Sequence, residues 1–175
     1  MLNHQTFKQI NTLFRKIRQN HGIEHAAVAI LTKRKIKPPI IGLATTSGFI
    51  IYCKSNKDEM LSATNEAVKL INSGASELAI SQFCGTNIVV GATISGLSAL
   101  ILSKLLGKNS KGIVNIASGF FISTLLSKPI GRIVQKYITT NSSIDGIQVK
   151  YIRSLNLGKF YIHHIGTGYG EPHSD

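Results

Sequence analysis

Residues 20–26 read NHGIEHA, in which His21, Glu24 and His25 spell H-x-x-E-H, the inverted order of the zinc-protease signature. The chain holds 6 histidines and 8 acidic residues in 175, so two of one and one of the other within five positions concentrate groups that bind metals and move protons. On a helix, positions i and i+4 lie on one face a turn apart, so His21 and His25 are spaced to direct imidazole nitrogens at one ion. Glu24 falls on the same side, where a carboxylate serves as general base toward a metal-bound water. The competing reading is structural: the two histidines cap or line a helix start, and Glu24 offsets its N-terminal dipole.

A metal site of this kind needs a third protein ligand. The segment FCGTN supplies the thiol of Cys84, followed by Gly85, which allows close approach of the backbone. A lone cysteine also reads as a small buried apolar residue. His163 and His164 are neighbours on a strand and point to opposite faces, so they cannot chelate one ion together, although either could serve as a distant fourth ligand. The run TKRKIKPP could meet phosphates, but beside an apolar segment it reads better as a solvated flank or a lipid-headgroup contact. No P-loop, G-x-G-x-x-G, G-x-S-x-G or paired C-x-x-C is present, so nucleotide hydrolysis, dinucleotide redox work and serine acyl transfer have no support in the sequence.

The histidine box needs a helix to hold it. Asn20 reads as the N-cap of one running from His21 to about Thr32, filled by Ala26 through Leu31 and ended by KRKIKPP, because Pro38 and Pro39 cannot continue the hydrogen-bond ladder. Ahead of it, Phe7, Ile10, Leu13, Phe14 and Ile17 recur at helical spacing among Lys8, Arg15, Lys16 and Arg18, an amphipathic helix of its own. This acid-free N-terminus has no apolar core of the Sec type, though its character overlaps with organelle transit peptides. SGFIIYCK reads as a strand, KDEMLSATNEAVKLINSG as a helix stopping at Gly74, and ELAIS as a short strand leading to Cys84.

From Cys84 to Ser103 there is no charged side chain, and the segment is just long enough to cross a hydrocarbon core of about 30 Å as a helix. Gly91, Ser95 and Ala99, four residues apart, form a small-residue face that lets a second helix approach closely. GIVNIASGFFISTLLSKPIG is a shorter apolar partner, broken by Asn115 and bounded by Lys128 and Pro129. Two readings stand: a hairpin in the bilayer, or a helical hairpin buried in a soluble core. The Lys-bearing turn KLLGKNSKG favours the first, with the larger set of Lys33, Arg34, Lys35, Lys37, Lys128, Arg132 and Lys136 facing the cytoplasm or its equivalent. Beyond it, IDGIQVKYIRSLNLGKFYIHHIGTG reads as two strands turning at Asn156 and Gly158, and YGEPHSD as a disordered tail.

Composition agrees with a membrane setting. A formal net charge of +12 and a pI near 9.9 suit nucleic acid, an anionic membrane or cytoplasmic flanks. With charged residues at only 16%, no Trp and a mean hydropathy of +0.13, the chain is too apolar for a typical basic nucleic-acid binder. Two cysteines argue against a disulfide-stapled secreted fold. The expected fold class is α+β: a helical and small mixed α/β portion with the H-x-x-E-H box over 1–83, an apolar helical hairpin of transmembrane type over 84–136, a C-terminal β-hairpin over 137–168 returning to the first portion and a disordered tail over 169–175.

NHGIEHA followed some 60 residues later by CGTN, at the start of an apolar hairpin, resembles a small family of bacterial and photosynthetic-lineage membrane proteins carried under a domain-of-unknown-function label. The two boxes also resemble, more remotely, those of the YqhQ-like proteins regarded as metal-dependent enzymes, whose pattern pairs H-G-x-E-H with C-G-T. Carried over by position, the resemblance nominates His21, Glu24, His25 and Cys84, with Gly22, Gly85 and Thr86 shaping the site. The YqhQ-like pattern has a histidine three positions before the cysteine, where this chain has Ser81. The resemblance implies a metal site and an inner or organellar membrane, such as a thylakoid-type one, but no particular reaction. The expectation is a membrane-embedded zinc-dependent hydrolase of peptidase type, with His21, His25 and Cys84 on zinc and Glu24 catalytic; the alternative is a membrane assembly or scaffold protein with a structural metal or none. The expected partner is the lipid bilayer, with no nucleic acid.

Overall fold

A computed structural model describes residues 4–106 and 112–170. Its elements follow in the order α1 (His4–Lys33), β1 (Ile41–Ala44), β2 (Gly48–Cys53), α2 (Lys57–Asn72), a 3-10 turn (Ser76–Ala79), α3 (Gly85–Leu106), α4 (Gly112–Val134), a π turn (Gln135–Thr139), β3 (Ile147–Asn156) and β4 (Tyr161–Tyr169). The class is α+β, as expected from the sequence. The chain forms two compact units, one from residues 1–80 and 139–175, the other from 81–138.

In the first unit, β1, β2, β4 and β3 pair antiparallel in that order, and α1 and α2 pack on the sheet. Ile23, Ala26, Ala27, Ile30 and Leu31 repeat at helical spacing along α1 and are buried against Phe49 and Ile51 of β2, Met60, Ala63 and Ala67 of α2, and Ile165 of β4. Asn56 caps α2, its side chain accepting from the Glu59 amide at 2.9 Å. The β3–β4 hairpin is as expected, with a bulge between Val149 and Tyr151.

Three local expectations fail. The two N-terminal helices are one, because Asn20 does not cap: its amide donates to the Thr45 carbonyl at 2.8 Å and its Oδ1 accepts from the Thr167 hydroxyl at 2.6 Å. Tertiary partners satisfy this side chain, so nothing obliges the helix to break there. His21, Glu24 and His25 therefore lie mid-helix, where no N-terminal dipole exists for Glu24 to offset. ELAIS forms a 3-10 turn rather than a strand, since the Ile80 amide bonds back to the Glu77 carbonyl at 3.1 Å. The four-residue β1 carried no sequence signal that was recognised.

The second unit is the hairpin of α3 and α4. The small face of α3 packs on that of α4: a Cβ at Gly119 would come 2.5 Å from the Ser95 carbonyl oxygen and 3.4 Å from the Ala99 Cβ, and one at Gly91 would come 3.3 Å from the Ser127 Cβ. Pro129 lies within α4, which continues to Val134, and the two helices are long and apolar enough to cross a membrane. Their large apolar side chains face outward, with Ile88, Leu100, Leu105 and Phe120 all more than half exposed. Most of the turn KLLGKNSKG and most of the tail YGEPHSD lie outside the described residues.

Candidate metal centre

His21 and His25 sit one turn apart on α1, with ring centroids 4.3 Å apart. Each ring is held through Nδ1 by a backbone carbonyl: His21 donates to Thr139 at 2.9 Å, and His25 to Ala79 at 2.8 Å. A carbonyl only accepts, so Nδ1 carries a hydrogen in both rings, and a neutral ring then presents Nε2 as its lone-pair nitrogen. This is how a metal-ligating histidine is generally oriented. Glu24 Oε2 stands 3.8 Å from Nε2 of His21 and 3.9 Å from Nε2 of His25, too long for hydrogen bonds but beside both nitrogens.

Close packing positions these groups. A Cβ at Gly22 would come 2.9 Å from the Asn141 carbonyl oxygen and 3.2 Å from the Ala79 Cβ, so the glycine lets α1 approach both segments. A Cβ at Gly42 would occupy the space of the Glu24 carboxylate. Arg18 fastens the 139–143 segment by donating through Nη2 to the Thr140 carbonyl at 3.0 Å, and Gln19 does so by donating to that of Ser143 at 2.6 Å.

In the second unit, Cys84 immediately precedes α3. Its Sγ accepts from the Thr86 amide at 3.4 Å and lies 3.3 Å from the Thr86 hydroxyl, while its carbonyl accepts from the Asn87 amide at 2.9 Å. Amide donation to sulfur at a helix N-terminus suits a thiolate ligand. A Cβ at Gly85 would meet nothing within 4 Å among the described residues, so no steric contact with them requires a glycine there. Ser81, at the place of the YqhQ-like histidine, offers backbone rather than a ligand: fully buried Gln135 accepts from its amide and donates to its carbonyl, both at 2.9 Å, and donates to Asn87 Oδ1 at 2.8 Å. Asn87 in turn donates to the Gln82 carbonyl at 2.8 Å. This network holds the segment that carries Cys84, and Gly131 makes room for the Asn87 side chain.

His21 and His25 in the first unit and Cys84 in the second make up the candidate ligand set, each offering one donor atom of metal-ligating type. His163 is not part of it. Its Nε2 donates to the Ser55 carbonyl at 3.0 Å, which leaves Nδ1 to accept from the Ser154 hydroxyl at 2.7 Å, so both ring nitrogens are engaged. Burial pushes its pKa below the ordinary value, against a smaller opposing effect of the Ser55 bond. His164 meets Tyr151 edge-on, with centroids 5.4 Å apart. Sequence reasoning missed Gln135, Gly42 and the carbonyls of Ala79 and Thr139; only Asn87, inside the CGTN box, carried a signal.

Residues 16–152 match a family described as a domain of unknown function (DUF6391), a span that contains both boxes and both apolar helices. An uncharacterized protein of Picosynechococcus sp. is 27% identical over 158 residues, covering 82% of this chain and 77% of its own length. No solved structure matches the chain. These matches support the resemblance to a domain-of-unknown-function family; they lend no support to the one with the YqhQ-like proteins or to a membrane character of the family. With its two boxes and its apolar helices inside the matched span, the chain belongs to the DUF6391 family.

Proposed function

We propose that the protein is a membrane-embedded, zinc-dependent hydrolase of peptidase type, in which His21, His25 and Cys84 hold the ion and Glu24 is the general base. The carrying observation is the imidazole pair: both rings are fixed through Nδ1 by backbone carbonyls, and Glu24 Oε2 stands 3.8 and 3.9 Å from their Nε2 atoms. Two imidazoles and a thiolate are donors that suit zinc, which would supply Lewis-acid activation of water and carbonyl groups. Glu24 is only 6% exposed, an environment in which a carboxylate can be kept close to the reacting proton. Bilayer insertion of α3 and α4 is supported by their length and by the outward exposure of their apolar residues, whereas a soluble core helix would bury such residues.

A second reading, a structural metal in a membrane scaffold, is favoured by the burial of His25, Glu24 and Cys84, since structural zinc sites are closed. The side chain of His21, 18% exposed, offers the more open edge that catalysis requires. Elemental analysis of the full chain tests the metal. About one zinc per chain is expected, falling sharply in His25→Ala; equal traces in both would sink the site. Complementation of a deletion strain by Glu24→Gln separates the two readings. Loss of function with zinc and abundance intact is expected of the enzyme, and full complementation would remove the general base.

A further inference from the structure

The large apolar side chains along the first half of α1 are exposed among the described residues. Phe7, Ile10, Leu13 and Phe14 are 60, 36, 47 and 63% exposed, whereas the buried stripe of the same helix begins only at Gln19. At about 100° per residue these four and Ile17 fall within an arc of about 120°. Lys8 and Arg15 lie on the opposite side and Lys16 flanks the arc, all three exposed. No acidic residue occurs before Glu24.

We infer that residues 5–17 of α1 form an interfacial helix that lies on an anionic phospholipid surface, burying Phe7, Ile10, Leu13 and Phe14 among the acyl chains while Lys8, Arg15 and Lys16 meet phosphate headgroups. The apolar stripe is too short to span a bilayer. An apolar arc on one side with lysine and arginine on the polar face is the pattern of a helix lying in the interface plane, and the Lys16 stem beside the arc can reach to the headgroups. Charge decides against a second copy of the chain, because two such faces would bring like charges together, whereas an anionic bilayer complements them. The inference does not rest on the metal site.

The chain has no tryptophan, so Phe14→Trp places one reporter on the stripe of the full-length protein. It is reconstituted in vesicles of phosphatidylcholine alone or mixed with phosphatidylglycerol, each with brominated acyl chains. In the anionic vesicles the emission should be blue-shifted, quenched by the brominated lipid and protected from acrylamide. Adding Lys8→Glu, Arg15→Glu and Lys16→Glu, or raising salt, should reverse all three effects. A red, acrylamide-accessible emission in anionic vesicles overturns the inference, as does quenching that is equal in both lipids and survives the charge reversal. A blue shift that grows with protein concentration in lipid-free detergent overturns it in favour of self-association. Leu100→Trp, made separately, reports on α3, so failure of the bilayer spans is read independently of α1.

Discussion

The ring of His25 and the carbonyl of Ala79, 54 residues apart in sequence, are joined by a buried 2.8 Å hydrogen bond. That bond sets the ring's tautomer and places the 3-10 turn against α1, just before the chain leaves the first unit after Ile80. His21 is held in the same manner by Thr139, across 118 residues. The metal ligands proposed on α1 thus take their orientation from two backbone segments remote in the chain.

Gly22→Ala should loosen that arrangement. Its methyl would meet the Asn141 carbonyl oxygen at 2.9 Å, a backbone atom that cannot swing aside, so a loss of about 1–3 kcal/mol is expected from overpacking. Thermal melts should show a lower Tm, and elemental analysis should show weakened zinc retention in the folded fraction.

Gly42→Ala is expected to act on Glu24 alone. The new Cβ would take the space of the carboxylate, its three nearest atoms all belonging to Glu24, so zinc should stay while function falls as it does in Glu24→Gln. Parallel metal content and complementation check this, and loss of metal with function would show that Glu24 helps to hold the site.

Gln135→Leu keeps the volume but removes the bonds that Gln135 makes to the Ser81 amide, the Ser81 carbonyl and Asn87 Oδ1, while the Ser81 carbonyl keeps the Asn87 side-chain amide at 3.3 Å. Leaving buried polar partners unmet costs about 1–3 kcal/mol per group. Denaturant titration of the detergent-solubilised protein should show the loss, and Gln135→Ala should lose at least as much.

Stability should fall on the acid side because of His163. Burial lowers its folded pKa below the 6.5 of an exposed imidazole, so the unfolded state takes up the proton first. Its contribution is complete above about pH 6.5 and is lost as pH falls from there toward the folded pKa, at no more than about 1.4 kcal/mol per pH unit. Comparing the pH dependence of unfolding for the wild type and His163→Gln isolates this step; identical slopes between pH 7 and pH 5 would contradict it.

What could be read from the sequence rests on short-range periodicity. The i, i+4 placement of His21 and His25, the helix Lys57–Asn72, the apolar pair α3 and α4 with its Gly91, Ser95 and Ala99 face, and the turn at Asn156 and Gly158 are all set by neighbours within a few residues. Where tertiary partners compete with local signals, the tertiary structure decided. Asn20 carries the chemistry of a cap, but Thr45 and Thr167 satisfy it inside a continuous helix. ELAIS has strand-forming residues, yet a strand needs a partner edge, and the Ile80 amide bonds to its own turn instead. The carbonyls of Ala79 and Thr139 carry no side-chain signature at all, and the role of Gln135 depends on which backbone groups the fold brings to it. Residue types and spacing therefore named candidate ligands, while their orientation waited on long-range hydrogen bonds, which no local pattern encodes.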